Sequence, residues 1–407
     1  MSNIRRLINE LCPDGVQFDR LGDHGEFIRG GGIQKKDFVK SGIGCIHYGQ
    51  LYTYYGISAT QTKSFLNPEF AAKLRKAHPG NLVIATTSEN DEDLGKAVAW
   101  IGEKAIAVSG DAFIYQHDFD PKYVSYFFSS SLFASQKKRH ISGTKVRRIG
   151  RTALENIRIP VPPLEVQREI VRILDGFTKL EAELEAELEA RRKQYAFYRD
   201  QLLTFTPEGE RTKWLPIKEI ALKVTSGGTP KSEKAEYYGG NIPWLRTQDI
   251  DFNTIFTTSA SITELGLQNS SAKWVPAHCV IVAMYGATAA KAAINEIALT
   301  MNQACCAIEA DPAQCDYHYV YHWLASRYEH LKAQGEGSQA NLNMKKIKAF
   351  KIPVPPLEEQ RRIVAILDKF DALVNDISSG LPAEIEARRK QYEHYRDRLL
   401  TFPELNG

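Results

Sequence analysis

The 407-residue chain has little in it that could cross or enter a membrane. Its most apolar stretch, Cys279 to Tyr285, falls far short of the roughly 20 residues that a spanning helix needs. The first residues, Met1-Ser2-Asn3-Ile4-Arg5-Arg6-Leu7, lack the apolar core of a signal peptide. Six cysteines (Cys12, Cys45, Cys279, Cys305, Cys306, Cys315) form no Cys-x-x-Cys pair and no framework spacing, so they read as reduced thiols. These absences point to a cytoplasmic protein. Nucleotide and hydrolase signatures are missing too. There is no G-x-G-x-x-G, no G-x-S-x-G and no H-E-x-x-H, and Gly30-Gly31-Gly32 and Gly227-Gly228 lack the Lys-Ser/Thr of a phosphate loop. Those glycines read as turns between strands. Net charge is only +3, with 43% hydrophobic and 25% charged residues, which is globular rather than disordered composition. Lys and Arg outnumber Asp and Glu by 21 to 16 over residues 1–156, a bias compatible with phosphate binding that does not establish it.

What the chain does have is a second copy of itself. Residues 159–177, IPVPPLEVQREIVRILDGF, return at 352–370 as IPVPPLEEQRRIVAILDKF, identical at 15 of 19 positions. Residues 189–205, EARRKQYAFYRDQLLTF, return at 386–402 as EARRKQYEHYRDRLLTF, identical at 14 of 17. Fainter matches align Gly31-Gly32-Ile33-Gln34-Lys35 with Gly227-Gly228-Thr229-Pro230-Lys231, Ile43 to Gln50 with Ile242 to Asp249, and Leu82 to Ala85 with Val280 to Ala283. A repeat this long sets the architecture. Variable domains at 1–156 and 207–351 alternate with near-identical segments at 157–206 and 352–407.

The near-identical segments carry a helical signature. Pro162-Pro163 and Pro355-Pro356 suit a helix start, with Glu165 or Glu358 in the first turn. Ile173, Phe177, Leu180, Leu184, Leu188, Arg191, Tyr195, Tyr198 and Leu202 recur at spacings of three and four, as do Ile366, Phe370, Leu373, Ile377, Leu381, Ile385, Tyr392, Tyr395 and Leu399. An unbroken helix from Leu164 to Phe205 would extend roughly 63 Å at about 1.5 Å per residue. Ser378-Ser379-Gly380-Leu381-Pro382 should break or kink the second helix. Two matching stripes of this length predict an antiparallel pair. The variable segments alternate short β-branched and aromatic runs with helical stretches at 122–138 and 316–334, giving an α/β (α+β-like) class.

This pattern resembles the specificity (S) subunits of type I restriction-modification systems. The resemblance rests on the two Ile-Pro-Val-Pro-Pro-Leu-Glu-x-Gln-Arg blocks and the two Arg-Arg-Lys-Gln-Tyr…Tyr-Arg-Asp-x-Leu-Leu-Thr-Phe blocks. Gly228-Thr229-Pro230, Ile242-Pro243-Trp244-Leu245 and Asn302-Gln303-Ala304 also fit. It implies two tandem-duplicated target-recognition domains separated by two long helices forming an antiparallel coiled coil. Each domain would read half of a split double-stranded DNA target. Two methyltransferase subunits would dock on the helices, with restriction or motor subunits joined through them. The chain itself would bind no cofactor, the methyl donor and ATP lying on partner subunits. Consistent with a non-catalytic role, the Pro-Pro pairs sit in Val-Pro-Pro-Leu and not in an adenine-methylating Asn/Asp-Pro-Pro-aromatic tetrad. A coiled-coil scaffold or RNA-binding adaptor is the alternative, supported by the Leu-Glu-Ala-Glu run at 180–187.

Under the DNA reading, phosphate contacts fall to Lys35, Lys36, Lys137, Lys138, Arg139, Lys145, Arg147, Arg148, Lys231, Lys345 and Lys346. Base-edge contacts fall to Gln34, His47, Tyr48, Gln50, Arg246, Thr247, Gln248, Asn341 and Asn343, because Arg matches guanine and Gln or Asn matches adenine. Tyr195, Tyr198, Tyr392 and Tyr395 are the expected partner-docking residues. His318 and His322 have the spacing of a helical metal pair, with Cys315 nearby. The matching positions in the first half hold Lys122 and Tyr126, and no third ligand is in view, so no metal is expected. Asp91-Glu92-Asp93 reads as a solvated acidic loop.

Overall fold

The structure, a computed structural model, describes residues 2–205, 212–336, 341–376 and 379–405. Packing groups the chain into two compact units, Met1–Glu183 with Ile385–Gly407, and Leu184–Glu384. Each unit holds one variable domain, the start of its own helical segment and the end of the other repeat's.

The two variable domains repeat one sheet order. In the first unit it runs Gly25–Arg29, Ala112–His117, Leu82–Ala85, Ala97–Trp100, Ser58–Ala59. In the second it runs Ala221–Ser226, Cys305–Ala310, Cys279–Ala283, Ala292–Asn295, Thr254–Ile255. Only the last strand of each is parallel to its neighbour. The central strands, Leu-Val-Ile-Ala and Cys-Val-Ile-Val-Ala, are buried throughout, as continuous apolar runs should be when both faces are covered. A smaller sheet in each unit contains the strand of the aligned Ile43 or Ile242 segment. Ile43–Ile46 lies antiparallel to Ser64–Leu66 and parallel to Ile106–Val108. Tyr238–Leu245 lies antiparallel to Ser261–Ile262 and parallel to Thr300–Met301.

Each expected helical stretch after the main sheet is two helices. Pro121–Phe128 and Ser131–Lys137 are separated where the Ser129 and Ser130 hydroxyls take the Tyr126 and Phe127 carbonyls; Ser130 Oγ then caps the next helix at Phe133 N. Tyr317–Ser326 is followed by Tyr328–Lys332. The leading helices start on the side chains of Asp120 and Asp316.

The first helical segment is one unbroken helix, Leu164–Leu202, of 39 residues. It stops three residues short of Phe205, and Leu203 turns into the core of the second unit. The second segment is broken as its Ser-Gly-Pro cluster requires, into Leu357–Asn375 and Leu381–Leu399. Ile377 and Ser378 lie outside the described residues.

Packing of the helices is reciprocal. In the first unit Phe177 stacks on Tyr395 at 5.4 Å, and Glu181 pairs with Arg389 at 2.5 Å. Rising numbers on one helix meet falling numbers on the other, so the pair is antiparallel. In the second unit Phe370 stacks on Tyr198 at 5.6 Å and faces Tyr195 at 6.3 Å. Phe177 and Phe370 are the same repeat position, as are Tyr198 and Tyr395. Leu399, Leu400 and Phe402 join the first core, and Leu203 joins the second, so each repeat ends by completing the other's domain. The C-terminal segment is fastened to the N-terminal one by Val16 N–H to Pro403 O (3.0 Å) and Leu405 N–H to Val16 O (3.0 Å).

The same joint fixes each variable domain to its helix. Gln167 Oε1 accepts Asp120 N–H at 2.9 Å while its Nε2 donates to Pro162 O. Gln360 Oε1 accepts Asp316 N–H at 2.9 Å while its Nε2 donates to Pro355 O and Gln314 O. Tyr123 and Tyr319 hydroxyls donate to Pro160 O and Pro353 O, each at 2.9 Å. One turn further, Asp175 receives Lys122 Nζ (2.7 Å) and Tyr126 Oη (2.8 Å). Its repeat partner Asp368 receives His318 (3.1 Å) and the fully buried His322 (2.6 Å).

Candidate nucleic-acid interface

Five loops meet at the ends of the two sheets in each unit, and matching backbone hydrogen bonds join them. A glycine loop comes first: Gly31 N–H bonds Val108 O (2.8 Å), and Gly228 N–H bonds Met301 O (2.9 Å). A side chain would not fit here. A Cβ on Gly30 would sit 2.2 Å from Ser109 O, and one on Gly227 1.8 Å from Met301 O. Next comes the turn after the small-sheet strand, held by Ser109 N–H to Ile46 O (3.1 Å) or Asn302 N–H to Leu245 O (2.9 Å). The end of the central strand is tied by Thr86 N–H to Asp111 O (3.0 Å) or Met284 N–H to Ala304 O (2.7 Å). The segment before the helical repeat closes the group, through Ile149 N–H to Thr86 O (3.1 Å) or Leu342 N–H to Met284 O (2.8 Å). Gln34, Lys35 and Lys36 leave the first glycine loop, and Lys231 leaves the second.

Most expected basic residues are exposed: Lys35, Lys36, Lys138, Arg139, Lys145, Arg148, Lys231 and Lys345. Others are committed to the fold, which corrects the sequence reading. Lys137 is buried, and its ammonium donates to Glu92 O and Leu94 O, both at 2.7 Å. Burial lowers its pKa against the pull of Glu92 and its neighbours. Arg147 pairs with Asp91 at 2.8 Å and donates to Gly143 O. Asp91-Glu92-Asp93 is therefore an anchored loop and not a purely solvated one. Lys346 is held by Glu336 and by Gln334 O, each at 2.5 Å.

The base-edge candidates divide in the same way. Gln50 closes a helix start, its Oε1 accepting His47 N–H (3.0 Å) and its Nε2 donating to Ser64 Oγ (2.6 Å). Asn343 caps the helix Met344–Ala349 by accepting Lys346 N–H at 3.0 Å. Tyr48 packs on the core beneath the small sheet. Gln34 and Gln248 are exposed, and Thr247 lends its carbonyl to Thr288 Oγ1 at 2.9 Å. Among the described residues Asn341 Oδ1 and Arg246 Nε are buried with no hydrogen-bond partner, although Arg246 Nη2 reaches Ser259 Oγ at 3.1 Å. Ser259, Thr288 and the Thr229–Gln303 hydrogen bond shape this rim without any local sequence signal, because their partners lie 13 to 74 residues away.

One other expectation changes. Tyr195 and Tyr392 are inward seam residues, packed against the second and first cores respectively, and do not form an outer docking face. Burial raises both phenols' pKa. Tyr198 stays 38% exposed, and Tyr395 is half-buried. His318 and His322 converge on the single carboxylate of Asp368. Cys315 is buried nearby, its thiol pushed up to about 12 by burial. Among the described residues no group of three His, Cys, Asp or Glu side chains is placed to hold a metal ion.

Two mixed α/β domains with matched rims, each fixed to the start of one helix and the end of another, define a duplicated two-domain protein. The chain belongs to the specificity subunits of type I restriction-modification systems: the family model for the type I restriction modification DNA specificity domain matches residues 13–190 and 212–387. The EcoR124I/EcoR124II specificity subunit of Escherichia coli is 41% identical over 293 residues, covering 69% of this chain and 71% of that one. A putative type I specificity subunit of Haemophilus influenzae is 32% identical over 275 residues, covering 64% and 68%. Among solved structures, a chain from a type I R-M system gives a TM-score of 0.66 at 18% identity, over 95% of this chain and 98% of that one. The S subunit of M. genitalium gives 0.57 at 13% identity, over 95% and 96%. These two likenesses concern the fold.

Proposed function

We propose that the chain is a non-catalytic subunit that reads a split double-stranded DNA sequence, each unit reading one half. Two methyltransferase subunits dock on the helical segments, and restriction or motor subunits join through them. The methyl donor and ATP bind on those partners, and the complex works in the cytoplasm; among the described residues no helix is long and apolar enough to cross a membrane. The observation that carries this reading is the doubled rim: one backbone arrangement appears in both units, while the side chains mounted on it differ. Such a device presents two different recognition surfaces from one scaffold, with exposed Lys beside each, and Arg in the first unit, for phosphates. The outward ends of the helices, including Tyr198 and Tyr395, remain the docking candidates. Replacing residues 1–156 with the corresponding domain of another family member tests it. Methylome sequencing of cells carrying the hybrid and its partners should show one half of the methylated motif changed and the other retained. A change in both halves, or in neither, refutes independent reading.

A further inference from the structure

We infer that His47 and Arg246 are corresponding base-reading side chains, one for each half-site, with Arg246 directed to a guanine edge and His47 to a purine N7; this rests on the DNA-reading function proposed above. Both residues stand first after the buried strand end, Ile46 or Leu245, in extended backbone (φ −91° and −117°). In both, the backbone N–H is taken at 3.0 Å by the side chain three residues on, Gln50 Oε1 or Asp249 Oδ2. The preceding carbonyl is held by Ser109 or Asn302 as described. The backbone is thus fixed twice in one conformation, and only the side chain differs.

Each side chain has hydrogen-bonding capacity left over. The Arg246 guanidinium is steadied through Nη2 on Ser259, yet among the described residues its buried Nε–H has no acceptor. A buried donor without a partner is costly, so the guanidinium gains by turning outward to meet a ligand's acceptor. His47 Nδ1 accepts Gly49 N–H at 3.2 Å, which places the ring proton on Nε2. Burial, followed by the Lys35 charge, holds its pKa below the ordinary histidine value, so the ring is neutral near pH 7. It then offers one N–H donor, suited to a single acceptor such as a purine N7. Arg246 offers several donors in a plane, suited to the paired O6 and N7 of guanine. Neighbouring candidates are less suited, because Gln50 and Asn343 already use their side chains to cap helices.

The experiment uses the complete chain assembled with its methyltransferase subunits. The wild-type motif is mapped by methylome sequencing, and binding is measured to duplexes carrying that motif with each base pair substituted in turn. Arg246→Ala and Arg246→Lys should each lose roughly 5- to 150-fold of discrimination at one G·C pair of one half-site. His47→Ala and His47→Gln should do so at one purine position of the other half. Retained discrimination at the other base pairs of the same half shows that the substituted domain is folded, and the Lys and Gln variants serve if an Ala variant fails to assemble. A selective wild type whose discrimination survives these substitutions at every base pair overturns the assignment alone. So does a loss that falls in both halves at once. A wild type that selects no split sequence removes the DNA-reading function, and the assignment with it.

Discussion

Replacing Gln360 with Met should loosen the second variable domain from its helix by a calculable amount. The carboxamide is fully buried and makes three hydrogen bonds: it accepts Asp316 N–H (2.9 Å) and donates to Gln314 O (3.0 Å) and Pro355 O (2.8 Å). Methionine keeps the length and volume and removes all three. At about 0.5–1.5 kcal/mol net for each bond, the loss is about 3 kcal/mol, and more where Asp316 N–H is left dry. For a unit of this size that is a fall of roughly 6–12 °C in unfolding midpoint. Calorimetry of the whole chain gives the magnitude. Hydrogen exchange locates it, with protection lost first along Tyr317–Ser326, whose N-cap is Asp316. Gln167→Met removes only two bonds, those to Asp120 and Pro162, and should cost about 2 kcal/mol in the first unit. A Gln360→Met loss below about 1 kcal/mol, or one no larger than that of Gln167→Met, would refute the reasoning.

His318 and His117 should contribute oppositely with pH. The Asp368 hydrogen bond raises the His318 pKa above its ordinary 6.5, so this contribution is complete below 6.5 and is lost as pH rises through the raised value. In the first unit burial lowers His117 to about 4, so stability there falls as pH drops from 6.5 toward 4. Urea unfolding between pH 5 and 8 of His318→Gln and His117→Gln beside the wild type isolates each slope, and a change of the same sign in both variants would contradict the assignment. Finally, one Leu-Glu-Ala-Glu unit inserted after Glu187 lengthens the helix Leu164–Leu202 by about 6 Å and turns it about 40° beyond a full turn. The gap between methylated half-sites should then widen by roughly one or two base pairs at about 3.4 Å each, with the half-site sequences unchanged; retained methylation at the original spacing would defeat this.

The helical skeleton was legible because its causes are local. Pro-Pro blocks helix before Leu164 and Leu357, the three-four stripe runs on from there, and a Ser-Gly-Pro cluster stops the second helix after Asn375. What the stripe packs against was not legible. Tyr195 and Tyr392 belong to the stripe and are also expected to dock partners, and each packs partly buried against elements more than a hundred residues away. Lys137 was misplaced with its exposed neighbours Lys138 and Arg139, although a signal existed: it lies four residues after buried Phe133, on the same helix face. Gln50 likewise carried a capping signature, three residues after His47, that was read only as base chemistry. Arg246 was legible as chemistry, but its unpartnered Nε depends on a fold that brings Ser259 and the strand ends together.

The duplication also explains how a domain can be exchanged without redesigning the joint beneath it. At each joint the near-identical segment supplies a glutamine amide, a proline carbonyl for the tyrosine hydroxyl and one aspartate. The variable domain supplies an Asp N–H, a tyrosine hydroxyl and two donors one turn apart, Lys122 and Tyr126 or His318 and His322. Those donor pairs share no residue type, yet Asp175 and Asp368 accept both, because a carboxylate has two oxygens and takes bonds from ammonium, hydroxyl and imidazole alike. The joint therefore constrains where donors stand and leaves their identity open. The rims follow the converse logic, with the backbone fixed in both units and the His47 or Arg246 side chain free to differ. Sequence change on the variable domain is thus tolerated at its base by an undemanding acceptor and, under the proposed DNA-reading function, expressed at its rim by a demanding one, the edge of a base pair.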